Sequence, residues 1–334
     1  MKLLVTGGLG FIGSNFILKM LNEHNFTIIN VDAQLDGSNM ENLSSIKDNK
    51  NYKFVKGNIT NKNLMEELIS SCDAVVNFAA ESFVDRSIND SNPFLVSNIR
   101  GAYTILDIIT KQKKRMIQIS TDEVFGSISN DSAVEESKLN PTNPYAATKA
   151  AAELIINSYY STFETDVVVT RCTNNFGPRQ FPEKLIPKSI LLAMNDRKIP
   201  IYGNGKNIRD WIFVNDHCDA IYDVLLKGKA GQSYNISANN ELDNMEIIKL
   251  ILKYLGKSTD LIEFVEDRPG HDFRYSLDSS KIRKEIGWKN STNFEEGLYT
   301  TIEWFKSNYS DSASIEKVIS KFTPWKADNN ISHK

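Results

Sequence analysis

The eight residues Thr6-Gly7-Gly8-Leu9-Gly10-Phe11-Ile12-Gly13 constrain this chain more than any other stretch. They join a short apolar run, Leu3–Thr6, to a helical pattern from Phe11 to Asn22. Gly7, Gly10 and Gly13 are spaced by threes, and Gly8, Gly10 and Gly13 also satisfy G-x-G-x-x-G. The first glycines let the backbone turn tightly, Gly10 lets it approach a pyrophosphate, and Gly13 lets the helix pack close to the strand. A glycine motif alone is a weak signal. Here a second strand pattern, Phe26–Val31, ends on Asp32, at roughly the 20-residue offset where a carboxylate takes the ribose hydroxyls of a dinucleotide. Ala33-Gln34-Leu35-Asp36 behind it holds no Arg or Lys, so a 2′-phosphate would meet a bare carboxylate. The pattern favours NAD over NADP.

Strand and helix patterns then alternate. Tyr52–Val55, Ala74–Phe78, Met116–Ser120 and Val167–Arg171 read as strands; Lys62–Ser71, Asn92–Lys111 and Tyr145–Phe163 read as helices. This rhythm predicts a Rossmann-type doubly wound parallel sheet covered on both faces. After Thr173 prolines fall at 178, 182, 187 and 200 and the elements shorten. The expectation is a cofactor domain over 1–173, with a segment near 208–236 packing back onto it, and a smaller mixed α/β substrate domain over 174–330. The polar tail after Lys326 is expected to fray.

Composition excludes several classes. A net charge of −3 offers no basic field for nucleic acid or an anionic membrane. The one basic run, Lys111-Gln112-Lys113-Lys114-Arg115, ends a helical pattern, where cations complement the dipole. Cys72, Cys172 and Cys218 are too scattered for a disulfide scaffold or a zinc site. His24, His217, His271 and His333 form no pair at ligand spacing, so no metal is expected. No run is long enough to span a bilayer, and the N-terminus lacks an apolar signal core. A cytoplasmic protein is the expectation.

Two further clusters carry chemistry. Tyr145-Ala146-Ala147-Thr148-Lys149 opens a helix after Pro144 and places a phenol and an ammonium on one face. An ammonium nearby lowers a phenol's pKa, so Lys149 is expected to tune Tyr145 as a base and to bond a ribose. Ile119-Ser120-Thr121-Asp122-Glu123-Val124-Phe125-Gly126 ends a strand on two adjacent carboxylates. Such neighbours push their pKa values apart, which suits an acid and a base working together. Solvated acids at a strand end are the bland alternative.

The glycine turn, the Tyr145/Lys149 pair and Ser120 together resemble the extended short-chain dehydrogenase/reductase superfamily, in which a Ser or Thr at this strand end holds the substrate hydroxyl next to the Tyr. Within it, Ser120–Gly126 looks like the dTDP-glucose 4,6-dehydratases. So do Ala79–Ser87, Asn174–Pro178 with Phe181–Pro187, Arg209-Asp210-Trp211 and Asp267–Asp272. The resemblance runs from Lys2 to about Trp304. It implies Tyr145 as base at the C4 hydroxyl, Glu123 as base at C5, a protonated Asp122 as acid at the C6 hydroxyl, and Thr121 beside them. It implies cofactor contacts at Gly7, Gly10, Phe11, Ile12, Gly13, Asp32, Asn58, Ile59, Ala80, Ser97, Tyr145, Lys149 and Asn175. Substrate contacts are implied at Ser82, Thr121, Asn174, Lys184, Leu185, Tyr202, Arg209, Asn240, Asp267, Arg268 and His271, with Arg209 suited to phosphate oxygens. A homodimer through the helices near 92–111 and 145–163 is implied as well. The chain departs from the pattern at Asn58, where Asp is usual, at Phe83 for His, at Phe125 for Tyr, and at Asp36-Gly37-Ser38-Asn39 for Thr-Tyr-Ala-Gly-Asn. The competing readings are a dehydratase or 4-epimerase for a UDP-, CDP- or GDP-sugar, and a non-enzymatic NAD-binding module.

Overall fold

The structure, a computed structural model, describes residues 1–309. The tail after Lys326, His333 and the end of the substrate region lie outside the described residues.

The first half alternates as its hydrophobic runs dictate: β1 (Lys2–Thr6), α1 (Phe11–Glu23), β2 (Thr27–Asp32), β3 (Tyr52–Lys56), α2 (Lys62–Ser70) and β4 (Ala74–Asn77). After α3 (Val84–Asn89), one helical run begins as α4 (Asn92–Phe94), widens into a π-helical stretch at Leu95–Gly101 and continues as α5 (Ala102–Gln112). The periodicity predicts an unbroken α-helix there. Wide turns of this kind cluster at functional sites, and this one carries Ser97 to the cleft described below. The next residue, Asn98, clamps the loop after β4: Glu81 N–H donates to its Oδ1 at 2.8 Å, and its Nδ2 donates to Glu81 O at 3.0 Å.

β5 (Arg115–Thr121), α6 (Pro144–Phe163) and β6 (Val167–Cys172) complete the alternation. Asn143 caps α6, its side chain accepting from Ala146 N–H at 2.9 Å, and Pro144 fills the first turn. Beyond lie β7 (Asn174–Phe176), α7 (Leu185–Met194), β8 (Ile199–Tyr202), β9 (Ile208–Phe213), α8 (Val214–Lys227), β10 (Ser233–Ile236), β11 (Glu241–Asp243), α9 (Asn244–Leu255), β12 (Ile262–Val265), α10 (Ser280–Glu285) and α11 (Phe294–Asn308).

Seven strands form one wholly parallel sheet in the order β10-β6-β5-β4-β1-β2-β3. Strand order reverses at β1, and open α/β sheets bind ligands beside such a switch point, at the carboxyl ends of the strands. Buried apolar side chains fill both faces. Leu3, Val5, Phe16 and Ile28 pack with Val214, Ile221 and Tyr234 on one side; Leu4, Met65, Ile105 and Ile109 pack on the other. A separate core (Ile190, Leu191, Ile201, Trp211, Ile248, Leu298) joins α7, α9 and α11 to two small sheets, β11-β9-β7 and β12-β8. Among the described residues no helix is long and apolar enough to cross a membrane.

Candidate active site

The cleft opens where the glycine turn leaves β1. Gly7 has φ +68°, and a Cβ there would lie 2.7 Å from the Ala79 backbone. A Cβ on Gly13 would lie 2.6 Å from Gly7 O, so α1 sits hard against the turn. Gly10, Phe11 and Ile12 line the same wall. Asp32 is fixed by Leu9 N–H at 3.1 Å and Gln34 N–H at 2.8 Å, while burial raises its pKa. Asn58, Ile59, Ala80, Ser82 and Ser97 also line the cleft. The Asn58 side chain is engaged locally, its Oδ1 accepting from Thr60 N–H at 2.9 Å and from the Thr60 hydroxyl at 2.8 Å.

The far wall carries the carboxylates. They do not extend the strand. Asp122–Phe125 is a single 3₁₀ turn capped by Thr121, whose Oγ1 accepts from Glu123 N–H at 3.3 Å. This turn splits the pair. Asp122 is buried, whereas Glu123 is half-exposed and accepts from Asn143 Nδ2 at 3.3 Å. Burial first, and the charge of Glu123 second, push the Asp122 carboxyl up to about 8. Its Oδ1 accepts from Thr121 Oγ1 at 3.1 Å, and its buried Oδ2 has no protein partner. Asp122 is thus a neutral acid at neutral pH with one oxygen free to serve a ligand.

Tyr145 and Lys149 reach the cleft from the first turns of α6. The Tyr145 phenol is held well above its ordinary value by burial and by Glu123, and the hydrogen bond with the Thr121 side chain pulls it down. Lys149 instead turns its Nζ to Ile119 O at 2.6 Å, and burial lowers it to about 8. The hydroxyl beside the phenol is that of Thr121. Ser120 donates to Glu153, which also receives Arg171 Nε at 3.0 Å and Nη2 at 2.7 Å. This buried ion pair braces β5 and β6 against α6 behind the acids. Removing either partner of such a pair costs about 3–5 kcal/mol. Glu153 stands four residues after Lys149, the one hint in the sequence of a third inward-facing position on that helix.

The predicted substrate contacts divide into two groups. Ser82, Thr121, Asn174 and Lys184 line the cleft, with Lys184 Nζ donating to Ser82 O at 3.0 Å. Leu185, Tyr202, Arg209, Asn240, Asp267, Arg268 and His271 do not line it. Four of these, with Asp85, form an adjoining cluster: Arg268 Nη1 lies 2.6 Å from Asp85 Oδ1, Tyr202 Oη donates to Asp85 Oδ2 at 3.4 Å, and His271 Nδ1 lies 2.7 Å from Asp267 Oδ1. Arg209 is buried and bonded to the carbonyls of Ile208, Phe273 and Asp272, over the Tyr275 ring. Among the described residues no carboxylate pairs with it in a direct salt bridge; burial lowers its pKa, and the nearby charge of Glu123 opposes that. Leu185 begins α7, and Asn240 holds Trp211 N–H through its carbonyl at 3.0 Å.

Thr173 and Gln180 are lining groups that sequence reasoning missed. Thr173 Oγ1, Asn174 Oδ1 and Gln180 Oε1 are buried without protein partners, on residues that line the cleft. Buried polar atoms of this kind call for a ligand that completes them. Asn175 lines it too and is held by His217 Nδ1 at 2.9 Å; burial lowers that imidazole to about 3, so it is neutral. Gln180 stands inside the Asn174–Pro187 segment, but the Asn175–His217 contact spans 42 positions and leaves no local signal.

The family model described as GDP-mannose 4,6 dehydratase matches residues 4–301. A dTDP-glucose 4,6-dehydratase from Streptomyces niveus is 45% identical over 314 residues, covering 92% of this chain and 94% of that protein. The chain belongs to the dTDP-glucose 4,6-dehydratase family. The low-salt glycan biosynthesis protein Agl12 of Haloferax volcanii is likewise 45% identical, over 91% of this chain and 98% of that one. The crystal structure of a family member, the dTDP-glucose 4,6-dehydratase of Bacillus anthracis in complex with NAD, has a TM-score of 0.88 and 43% identity. It covers 94% of this chain and 99% of the crystallised one. Family membership thus extends through both cores.

Proposed function

We infer that the protein dehydrates dTDP-glucose to dTDP-4-keto-6-deoxyglucose. The observation that carries this is the buried Asp122, with one carboxyl oxygen free of protein partners, beside a partly buried Glu123 on the wall of a dinucleotide cleft. An epimerase has no use for that pair. The cleft fits NAD: the glycine cradle admits no side chain, Asp32 stands at the ribose position without a cation behind it, and three orphaned polar atoms await partners. NAD, when bound, supplies a two-electron sink at the start of the cycle, the same electrons at its end, and a positive charge.

A bound cofactor's positive charge would favour the phenolate against the burial that raises it, and Tyr145 in that form takes the proton of the C4 hydroxyl, with Thr121 holding the same oxygen. The ketone so formed acidifies C5–H, and Glu123 removes that proton. Asp122 gives its proton to the C6 hydroxyl, which leaves as water. Glu123 then returns a proton to C5, leaving the 4-keto-6-deoxy sugar. Each positioned transfer contributes about 10²–10⁴ in rate. Over a cycle Tyr145 gains the proton that Asp122 loses, so one proton passes back to Asp122 before the next turn. Ser82, Lys184 and Asn174 hold the sugar nucleotide at the cleft, with Leu185, Tyr202, Arg209, Asn240, Asp267, Arg268 and His271 on its outer side. In this reading residues 1–173 with 208–236 carry the cofactor, and the remainder carries the substrate.

The test is incubation with a panel of dTDP-, UDP-, CDP- and GDP-sugars, read by mass. dTDP-glucose should lose one water fastest. Unchanged mass with altered stereochemistry would mark an epimerase and end this reading.

The surface supports a homodimer. Leu95, Tyr103, Leu154 and Phe163 expose 47%, 45%, 61% and 58% of their area on adjoining helices. Such a patch on packed helices is the signature of a partner surface. Sizing should give a dimer that Leu154→Glu with Phe163→Glu converts to monomer; a monomeric wild type contradicts this. Three buried free cysteines fit a reducing compartment, the cytoplasm.

A further inference from the structure

Arg86, on α3, ties two loops to that helix where the sheet topology brings them to one cleft. Its Nη1 lies 2.7 Å from Asp36 Oδ2, in the loop after β2. Its Nη2 lies 2.8 Å from Glu183 Oε2, just before α7. Its guanidinium carbon stands 4.3 Å over the Phe83 ring, and Phe83 meets Phe181 edge-on at 5.2 Å. Below, Phe83 presses on Gly37, where a Cβ would lie 3.1 Å from the ring. Asp36, Gly37, Phe83 and Phe181 all line the cleft, and Arg86 stands behind them. Fifty and 97 residues of chain separate Arg86 from its two carboxylates. Asp36 and Phe83 are also positions where this chain departs from the pattern it resembles, so this end of the bridge is its own.

We propose that Arg86 is a clasp that retains the cofactor: its ion pairs to Asp36 and Glu183 hold two walls of the cleft together and set the rate at which NAD leaves. The chemistry gives such a device a purpose. The cofactor ends each cycle as it began, so exchange with solvent gains nothing, and loss in mid-cycle strands an oxidised sugar. The two arms differ. Asp36 is 79% exposed and Glu183 only 11%. An exposed pair is screened by water and salt, so the Glu183 arm carries more of the effect.

The inference rests on the cleft being the NAD site, and the experiment separates the two. Protein loaded with labelled NAD is chased with unlabelled NAD, and release is followed. Arg86→Met keeps an apolar stem on Phe83 but removes both ion pairs. It should speed release about tenfold or more, the change expected when a paired buried carboxylate loses its partner. Glu183→Gln should give an intermediate effect and Asp36→Asn a small one. The Asp36→Asn effect should vanish in the Arg86→Met background, because the two share one interaction. Salt should speed release from the wild type more than from Arg86→Met. Should Arg86→Met fail to fold, the exposed Asp36→Asn substitution and the salt response decide alone. Equal release with and without Arg86, or an Asp36→Asn effect that persists without it, overturns the clasp and leaves the site standing. A protein that retains no NAD at all overturns both.

Discussion

Asp122→Asn should stop water loss while leaving the first half of the reaction running. Turnover should fall about 10²–10⁴, the contribution of one positioned acid. In D₂O, recovered substrate should still gain deuterium at C5, because Tyr145 and Glu123 remain. Exchange without dehydration is the mark of a missing acid; normal dehydration contradicts the role of Asp122. The same substitution should stabilise the fold, with a definite pH dependence. Burial lifts the folded-state pKa from 3.8 to about 8. The native state therefore holds a proton that the unfolded chain gives up at about pH 4. Stability from this proton is fully present below about pH 4 and is lost progressively as pH rises toward 8, on the order of a few kcal/mol in all. Asn carries no such liability. The melting temperature of Asp122→Asn should exceed that of the wild type by a margin that widens from pH 5 to pH 8. A constant margin would place the Asp122 pKa elsewhere. Wild-type turnover should decline above about pH 8 as Asp122 ionises. Lys149, lowered to about 8 by burial, loses its charge in the same window, so the limb belongs to both groups.

Tyr145→Phe should fail one step earlier. Without the phenol the C4 hydroxyl keeps its proton, no ketone forms, and C5–H is never acidified. Turnover should fall about 10²–10⁴ or more, and recovered substrate should gain no deuterium at C5. The substitution removes one oxygen, and the ring keeps its edge contact with Phe94 at 6.3 Å between centroids, so the folded state should persist. The two variants thus separate in a single exchange experiment. Exchange at C5 in Tyr145→Phe at the wild-type rate would move the base elsewhere.

What the sequence revealed depended on how locally each feature is encoded. The glycine turn, Asp32 and the parallel strands through Cys172 are short-range patterns, and the sheet holds them in that order. The π-helical stretch at Leu95–Gly101 was not legible, because apolar spacing does not distinguish it from an α-helix. Neither was the 3₁₀ turn at Asp122, which separates two adjacent acids into a buried and a half-exposed one. The substrate region was read only by resemblance, since its short elements pair across distance: β11 runs antiparallel to β9, and β12 parallel to β8. Side-chain contacts between elements far apart in the chain escaped altogether. Arg171 with Glu153, His217 with Asn175 and Arg86 with its two carboxylates are contacts of the fold rather than of the chain.

The most direct test follows one hydrogen. Substrate labelled with deuterium at C4, mixed with unlabelled substrate, should yield product carrying the label at C6 of the same molecule that brought it. Deuterium that stays at C4, washes into water or appears on molecules that began unlabelled would contradict a transient C4 ketone formed and used within one closed site.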